Sequence, residues 1–551
     1  MTRHQAQSIS RRTLLQSGAA SAAALTFAPT VLRAQGARVR KNMTSQGGLV
    51  DLQTYGEGVT EMLKLPLSDG RNWYRQGFVH FIDCPHGNWW FTSWHRGYLG
   101  HFEEIIRELT GKEDFMLPYW DWTEPAHSVP ASMFGSDNPL DPVNFRSPAA
   151  SFIATKEEFQ KTVRPVMEDF WNHMTPAQKA EQDKRSNTDF DVMWAQKHLD
   201  NATYAFQERK FARFLTEANP KLDARTRKMV ALDGILGNLA PTEFAGPFKG
   251  KDDPFFENSV TDSHQITGKF SGLSATHNLV HNSTGGFEDE KENYVEPSGN
   301  MTNNLSPLDP IFFLHHCNID RLWDVWTRKQ QALGLPIAPT GDLLEPYKKE
   351  PYLFFFDRAG DRVSGTPTSW DYFETGAFEY SYQPGSGEQA VPPTTRLAKS
   401  ENVAGAMAVA SAGRLAPAVD AVVSGALARS IAQPKDSTVH LATVTFVPPA
   451  DSRGKVFDLY ISPKGQPPVL GLNSPEFAGS FAFFGHGHNT ETGFTVPIDA
   501  VLDRMAEDGL LTEGAELSFS LVVAGRDTAE AVSLEDNGVL QSVSVHVISE
   551  G

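Results

Sequence analysis

The segment from His80 to His95, HFIDCPHGNWWFTSWH, holds three histidines within sixteen residues. His86 and His95 are nine residues apart, so on one continuous helix they would lie about half a turn out of phase. The two imidazoles can face one point only if the chain turns between them, and the proline and glycine beside His86 are typical of such a turn. We predict a helix over about 71–83 with Asp69 as its cap, a loop that carries His86, and a second helix that carries His95.

Two further histidine clusters lie downstream. His277 and His281 are four residues apart, so on a helix both project from one face, as two ligands of one metal would. His315 and His316 are adjacent and follow an Asp-Pro pair, which is typical of a helix start. Because neighbours on a helix diverge by about 100°, only one of them can face the same metal. We favour His316, since Asp320 could hold that side of the helix.

The first 37 residues resemble an export signal. The run SRRTLL precedes an Ala-rich apolar stretch, and LRA follows as a cleavage site. The paired arginines resemble a twin-arginine signal, which carries folded proteins; a general secretory signal after two chance arginines is the alternative. We expect an exported, periplasmic or extracellular protein. No apolar run of about 18 residues follows that could span a membrane.

The pattern along the rest of the chain predicts two domains and a linker. Residues 38–382 are rich in helix-period segments and aromatics, whereas residues 436–551 contain runs such as VHLATVTFV that alternate with period two. Residues 383–435 are rich in Pro, Ala, Gly and Ser, which is typical of a flexible linker with at most one weak helix. We therefore predict a mainly α domain followed by a C-terminal antiparallel β-sandwich.

Charge and cysteine content narrow the classes of partner and fold. The net charge is −18, and no Lys/Arg-rich run follows the signal, which argues against nucleic acid or an anionic membrane as partner. Two cysteines in an exported chain of 551 residues exclude a disulfide framework. One bridge between Cys84 and Cys317 stays open.

Three histidines upstream and three downstream make two three-histidine sites. Ligand sets of imidazole alone disfavour Mg²⁺, Ca²⁺ and carboxylate-bridged di-iron centres, and leave copper, zinc or mononuclear iron. Export favours copper, and zinc in the same cage is the main rival.

The chain resembles the tyrosinase, catechol oxidase and molluscan haemocyanin family at two motifs. Residues 86–103, HGNWWFTSWHRGYLGHFE, resemble the family's first copper signature, and residues 309–320, DPIFFLHHCNID, resemble its second. The resemblance implies a four-helix bundle that holds two copper ions. The implied ligands are His80, His86 and His95 for the first copper and His277, His281 and His316 for the second. His315 would then be a packing residue.

The resemblance implies oxidation of phenols and catechols to o-quinones by O₂. An o-aminophenol oxidase shares every ligand, and a haemocyanin-like O₂ carrier without catalysis is the alternative of another class. One unit behind an export signal favours the enzyme. Small phenols and O₂ are the implied partners, while a homo-oligomer and an activating protease stay open.

Two residues beside the ligands have implied roles. Cys84 lies two residues before His86, where some family members carry a Cys–His thioether; a free buried thiol is the alternative. Asn278 matches the asparagine with which many members hold a water for monophenol hydroxylation, although it could be a polar helix-surface residue. The glutamate that shares this water is absent from the positions just before His277. We therefore expect diphenol oxidation more firmly than monophenol oxidation.

Other stretches resemble peripheral features of the family. Residues 380–382, YSY, resemble a tyrosine motif that pairs with an arginine, either Arg38 or Arg40. Residues 299–304 resemble a gate loop whose small and polar side chains favour an open site.

The C-terminal part resembles the β-domain of plant polyphenol oxidases and haemocyanin units. In such proteins this domain can insert a plug residue and keep the enzyme latent. Residues 481–485, FAFFG, are one source of a plug, although sandwich core is the more frequent role for such phenylalanines. His486 and His488 are candidates for copper delivery or for a solvated turn.

Overall fold

A computed structural model of the chain describes residues 38–144, 161, 164–184, 187–194, 212–242, 244, 269–270, 272–291, 294–297, 299–393, 398–407, 418–432, 438–449, 455–484, 492–524, 531–533 and 539–550. The predicted export signal lies outside the described residues, as do His486 and His488. Among the helices it describes, none is long and apolar enough to cross a bilayer.

The helices and strands fall into two regions. In chain order the described helices are α1 (Gln46–Lys64), α2 (Trp73–Asp83), α3 (Trp90–Thr110), α4 (Arg164–Asn172), α5 (Pro176–Lys184), α6 (Ala224–Val230), α7 (Leu232–Leu239), α8 (Gly272–Gly285), α9 (Ile311–Leu333), α10 (Leu344–Lys349), α11 (Gly425–Ala432) and α12 (Asp499–Glu507). The described strands are β1 (Arg38–Arg40), β2 (Lys269–Phe270), β3 (Phe287–Lys291), β4 (Tyr294–Pro297), β5 (Tyr380–Tyr382), β6 (Ala398–Met407), β7 (Ala418–Val422), β8 (Val439–Val447), β9 (Val456–Pro463), β10 (Phe477–Ala482), β11 (Thr492–Pro497), β12 (Glu516–Ala524), β13 (Ala531–Ser533) and β14 (Val539–Glu550).

The predicted break around His86 is present. Helix α2 ends at Asp83 and α3 begins at Trp90, so His86 lies in the loop between them. The cap of α2 differs from the prediction: Asn72 accepts the Tyr74 N–H at 2.9 Å, whereas Asp69 binds Arg71. Asn72 is the cap because it directly precedes the first helical residue, where a side-chain oxygen reaches the unpaired N–H groups.

Helices α2, α3, α8 and α9 carry the five helical histidines of the two predicted sites. Helix α3 packs against α1 and α9, and α8 contacts α9. The rings of Phe102 on α3 and Phe313 on α9 stack with centroids 3.7 Å apart, and both are fully buried. The contact lies among other buried aromatics, so burial of apolar surface fixes how these helices meet.

A buried charge cluster fastens the same two helices to both ends of this domain. Strand β1 pairs in parallel with β5. Arg40 binds Glu103 of α3 at 2.8 and 2.9 Å and Asp320 of α9 at 3.0 Å. Its guanidinium lies over the Tyr380 ring and donates to the Tyr382 hydroxyl at 2.8 Å. Of the two predicted arginine partners of the tyrosine motif, Arg40 is therefore the one that binds it.

The C-terminal region is a sandwich of two sheets. One sheet has the strand order β10-β9-β12-β13 with β7 also on β12, and the other has the order β2-β11-β8-β14-β6. All pairs within these sheets are antiparallel except β2 with β11. Phe481 of one sheet and Phe494 of the other stack at 4.1 Å in the core between them. The predicted fold class is confirmed, and we call this region the β-domain.

Part of the predicted linker is built into the β-domain. Within residues 383–435, β6 pairs with β14, β7 pairs with β12, and α11 follows. These segments lack the β-branched alternation of the later strands. They form strands because a partner strand supplies their hydrogen bonds, which local sequence does not reveal.

The β-domain rests on α6, α7 and α8. Arg225 of α6 binds Asp458 of β9 at 3.1–3.2 Å, and both side chains are at most 1% exposed. Ser480 also donates to Asp458 at 2.7 Å. Close by, Met229 and Leu279 pack with β-domain residues. The interface therefore combines apolar packing with a buried ion pair, which is strongly destabilising to break.

Candidate metal centre

The structure brings the predicted histidines into two adjoining groups. Their side-chain nitrogens, with Sγ of Cys84 in the first group, lie within 4.8 Å of one another inside each group. The first group contains His80, Cys84, His86 and His95, and the second contains His277, His281, His315 and His316. His95 and His316 stack with ring centroids 4.1 Å apart, so the two groups form one centre.

Four of the histidines are oriented by an oxygen acceptor at Nδ1. The pairs are His80 with Asn304 O at 2.7 Å, His95 with Phe91 O at 2.7 Å, His281 with Met301 O at 2.8 Å and His277 with Asn278 Oδ1 at 2.8 Å. In each pair Nδ1–H donates, so the neutral ring keeps its lone pair on Nε2. Metal-binding histidines are commonly oriented in this way, with an acceptor at one ring nitrogen and the metal at the other.

Hydrogen bonding separates His316 from His315. The Trp122 indole N–H donates to Nδ1 of His315 at 3.0 Å, so the proton of this ring is on Nε2, which cannot then bind a cation. His316 instead places Nε2 at 3.3 Å from His277 Nε2 and 3.1 Å from His281 Nε2. The tautomer thus supports the choice of His316 over His315.

The spacing of these nitrogens fits a metal ion. Nitrogens bound tetrahedrally to one ion at about 2.0–2.1 Å lie about 3.3 Å apart. His277 and His281 direct lone pairs at the same point, so without a cation they repel. In the first group, buried Nε2 of His80 has no hydrogen-bond partner among the residues that the structure describes. The donor sets therefore fit two cations.

Burial keeps these ligands neutral. Desolvation lowers the pKa of both His80 and His277 to about 3. It also lowers the pKa of His95, His281 and His316 well below the ordinary value. Neutral imidazole is the form that binds a metal, and neither group among the described residues includes a carboxylate. This ligand set suits copper, zinc or iron and disfavours hard cations.

Cys84 lies against the ring of His86. Its Sγ is 3.7 Å from Nδ1 and 3.5 Å from Nε2 of His86. The sulfur thus lies about equally far from the two ring nitrogens that flank Cε1. Sγ is also 3.4 Å from His95 Nε2. Neither cysteine forms a disulfide, so the Cys84–Cys317 bridge left open by the sequence is absent.

A phenylalanine from the β-domain covers the centre. The Phe484 ring lies with its centroid 4.3 Å from that of His281, 5.1 Å from His86 and 5.5 Å from His277. It is 5% exposed, whereas Phe481 and Phe483 are in the sandwich core. The FAFFG segment thus supplies both a cover and core residues.

Two amides of α8 hold this covering segment. Asn278 Nδ2 donates to Ala482 O at 2.7 Å, and Asn282 Nδ2 donates to Phe483 O at 2.8 Å. The amide of Asn278 is therefore engaged at both ends, by His277 through Oδ1 and by the β-domain through Nδ2.

The match with known families agrees with this geometry. The model of the common central domain of tyrosinase matches residues 60–329, which contain every predicted ligand. This central part of the chain belongs to the tyrosinase family. The cofactor is the dinuclear copper centre of this family, and the two histidine groups of the chain are suited to hold the two ions.

A curated relative matches about half of this chain. A tyrosinase of Hahella sp. is 26% identical over 309 residues, which is 50% of this chain and 50% of that protein. The chain thus spans about half the length of this relative.

Two solved structures share the fold. A latent aurone synthase (polyphenol oxidase) has a TM-score of 0.53 at 18% identity and covers 93% of this chain and 90% of its own. A functional unit of octopus haemocyanin has a TM-score of 0.50 at 16% identity and covers 93% and 99%.

Two expectations need correction in this tyrosinase-family site. Residues 299–304, expected to leave the site open, instead supply the Met301 and Asn304 carbonyls that orient one histidine of each group, and Phe484 covers the site. Asp320, expected to support His316, accepts hydrogen bonds from Arg96, Arg40 and the two tyrosines. Its carboxylate is drawn to the buried guanidinium groups, which need a counter-charge.

Proposed function

We propose that this protein oxidises catechols and phenols to o-quinones with O₂ at a dicopper centre. The proposed ligands are His80, His86 and His95 for one copper and His277, His281 and His316 for the other. The observation that carries the proposal is the convergence of oriented Nε2 lone pairs in two adjoining groups. When bound, the copper pair would supply the electron transfer to O₂ and the Lewis acidity that favours a phenolate.

The residues of the chain contribute orientation and a dry pocket. The carbonyls of residues 301 and 304 fix one imidazole of each group, so the nitrogens need little rearrangement when ions bind. The place of Phe484 shows that a flat six-membered ring fits against His281 and between the groups. A phenolic substrate would take this place, with its hydroxyl toward the histidines.

Diphenol oxidation is the better supported of the two activities. Hydroxylation of a monophenol is helped by a group or an ordered water that takes the phenol proton. While the β-domain is in place, both ends of the Asn278 amide are used. We assign Asn278 a positioning role toward His277, and its Nδ2 becomes available only when residue 482 moves away.

The β-domain would make the enzyme latent. Substrate cannot occupy the place of Phe484 until that ring leaves. Replacing Phe484 by Ala should raise kcat/KM for 4-methylcatechol in the copper-loaded full chain. Replacing Phe477, a buried β-domain residue outside the covering segment, by Leu is the matched control. A rise confined to F484A supports latency; equal rates for F484A and wild type reject it.

The test of the activity itself is O₂ uptake by copper-loaded protein. A catechol, a monophenol and an o-aminophenol should be compared in both wild type and F484A. Uptake with the catechol supports the proposal, and a preference for the o-aminophenol would move the assignment to that class. Reversible O₂ binding without uptake on any substrate would favour an O₂ carrier, the alternative to which the likeness to a haemocyanin unit points.

We also propose a thioether between Cys84 Sγ and His86 Cε1. The contact of Sγ with the His86 ring supports it, because Sγ lies about equally far from the two nitrogens that flank Cε1. Its formation removes the thiol hydrogen and the ring hydrogen, with O₂ as oxidant. Peptide mass spectrometry should find the 84–86 peptide lighter by two hydrogen atoms after copper loading in air. An unchanged mass with an alkylatable Cys84 would show a free thiol.

Export is proposed from the N-terminal arginine pair. Replacing Arg11 and Arg12 by Lys together should retain the protein in the cytoplasm of a bacterial host, whereas export of this variant would indicate the general secretory route.

A further inference from the structure

Ser430, His440 and Asp499 form a hydrogen-bonded chain within the β-domain. Ser430 lies in the last turn of α11, His440 lies on β8, and Asp499 begins α12. The Ser430 hydroxyl oxygen is 2.9 Å from His440 Nε2, and His440 Nδ1 is 2.8 Å from Asp499 Oδ1. His440 is 5% exposed, and Ser430 is half-buried. None of the three contributes to the copper centre.

The hydrogen bonds of Asp499 orient the His440 ring. Asp499 accepts from Nδ1–H of His440 and also from its backbone N–H at 3.0 Å, so the carboxylate holds the ring from two directions. The lone pair of the neutral imidazole is then on Nε2 and faces the serine hydroxyl. The Ser430 hydroxyl donates to the Leu427 carbonyl at 2.8 Å, so it must rotate toward Nε2 before His440 can take its proton. The carbonyl is far too weak a base to remove that proton. His440 is therefore the base in contact with Ser430.

We propose that Ser430 is a nucleophile toward carboxylic esters, with His440 as its general base and Asp499 as the positioning residue. Serine, histidine and aspartate in this order are recognised as a catalytic triad by geometry and not by fold. The Ser430 Oγ bonds to the ester carbonyl carbon while its proton moves to His440 Nε2. The proton then passes to the departing oxygen as the C–O bond breaks. Water repeats the sequence and releases the carboxylic acid and free Ser430, without any change of oxidation state.

The position of Ser430 selects the class of ester. Within α11 its backbone N–H is used by the helix, so it does not point to an acyl oxygen as an oxyanion-hole donor would. An ester with a good leaving group needs less stabilisation of this kind. Aryl esters, whose leaving group is a phenol, are therefore the expected substrates. The reaction needs no copper, so it does not depend on the proposed phenol oxidation.

The test uses the copper-free full-length protein, a fluorophosphonate and p-nitrophenyl acetate. We expect the phosphonate on Ser430 in peptide mass spectra, and loss of both label and p-nitrophenolate release in Ser430→Ala. Asp499→Asn should slow labelling roughly a hundredfold to ten-thousandfold. Ser544→Ala is the matched control, because Ser544 Oγ also lies 3.0 Å from a histidine nitrogen, Nε2 of His546; it should label like wild type.

Two results would overturn the proposal. One is absence of label on Ser430 in folded wild-type protein. The other is labelling of Asp499→Asn at the wild-type rate, which would mean that the hydrogen-bonded chain only fastens α11 and α12 to β8. Because wild type and Asp499→Asn decide the matter, a folding defect in Ser430→Ala does not leave it open.

Discussion

The first histidine group takes its imidazoles from two helices and the loop between them, whereas the second takes its three proposed ligands from two helices alone. His86, on the loop, is half-buried and touches Cys84 and Phe484. The proposed ligands of the second group are at most 1% exposed. A helix fixes its side chains through its own hydrogen bonds, while a loop needs contacts from elsewhere. The position of the first group therefore depends on contacts from other segments, whereas that of the second depends mainly on the helices that carry its ligands.

Removing one ligand from each group is expected to have the largest effect. His86→Ala and His281→Ala should each reduce catechol-dependent O₂ uptake to background. They should differ in metal content: His86→Ala leaves the all-helical group intact and keeps one copper per chain through dialysis, whereas His281→Ala keeps less. Elemental analysis measures this, with His101→Ala of α3 as control, since His101 binds the Tyr372 hydroxyl. Equal copper retention in both variants would contradict the comparison.

Acid should destabilise the copper-free protein through the buried histidines of both groups. The pKa of His80 and of His277 is lowered to about 3 in the fold, while the unfolded chain binds these protons near pH 6.5. The stability is therefore complete above about pH 7 and is lost as the pH falls toward 3, by about 2 kcal/mol at pH 5 for each such histidine. Urea unfolding at pH 7 and pH 5 measures the loss. Replacing His277 by Gln should reduce this pH dependence, and an unchanged slope would refute the assignment.

Arg40 ties the two groups together, because it joins α3 of the first group to α9 of the second. Arg40→Ala leaves the carboxylates of Glu103 and Asp320 buried, and should lower the free energy of unfolding by about 3–5 kcal/mol. Chemical denaturation checks this, with Arg38→Ala as the neighbouring control. A decrease in the free energy of unfolding below about 1 kcal/mol, the range of a surface ion pair, would show that Arg40 does not hold the two helices together.

Replacing the two asparagines of α8 should have the smallest effects. The two variants distinguish loosening of the covering segment from misorientation of the ligand His277. Asn282→Ala leaves the Phe483 carbonyl without its amide donor, which should cost the cover about 1–3 kcal/mol. Asn278→Ala should cost a similar amount and also lower activity, because His277 loses its Oδ1 acceptor. Hydrogen–deuterium exchange of the 477–484 segment measures the first effect and kcat the second. Equal kcat in the two variants would reject the positioning role of Asn278.

The sequence predicted those features that follow from periodicity. The break around His86, the pairing of His277 with His281 and the restriction to one of His315 and His316 all come from helix phase, which is a local property. The choice of His316 itself depended on Asp320, whose carboxylate binds Arg96 and Arg40 instead. The two domains follow from the change of period from helical to alternating.

The features that it missed are set by tertiary contacts. The carbonyls of Met301 and Asn304 carry no side-chain signal, because any residue at those positions offers the same oxygen. The partners of Asp320 come from distant segments. Phe484 covers the site while Phe481 enters the core, although both belong to one short aromatic run; only the packed structure separates them.

The assignment of His316 rather than His315 as a copper ligand is tested by the copper content of three proteins: wild type, His315→Gln and His316→Gln. The tautomer of His315, fixed by Trp122, excludes it as a ligand, whereas His316 shares its point of convergence with His277 and His281. We expect two coppers per chain in wild type and in His315→Gln, and at most one in His316→Gln. Loss of a copper from His315→Gln with both retained in His316→Gln would contradict it.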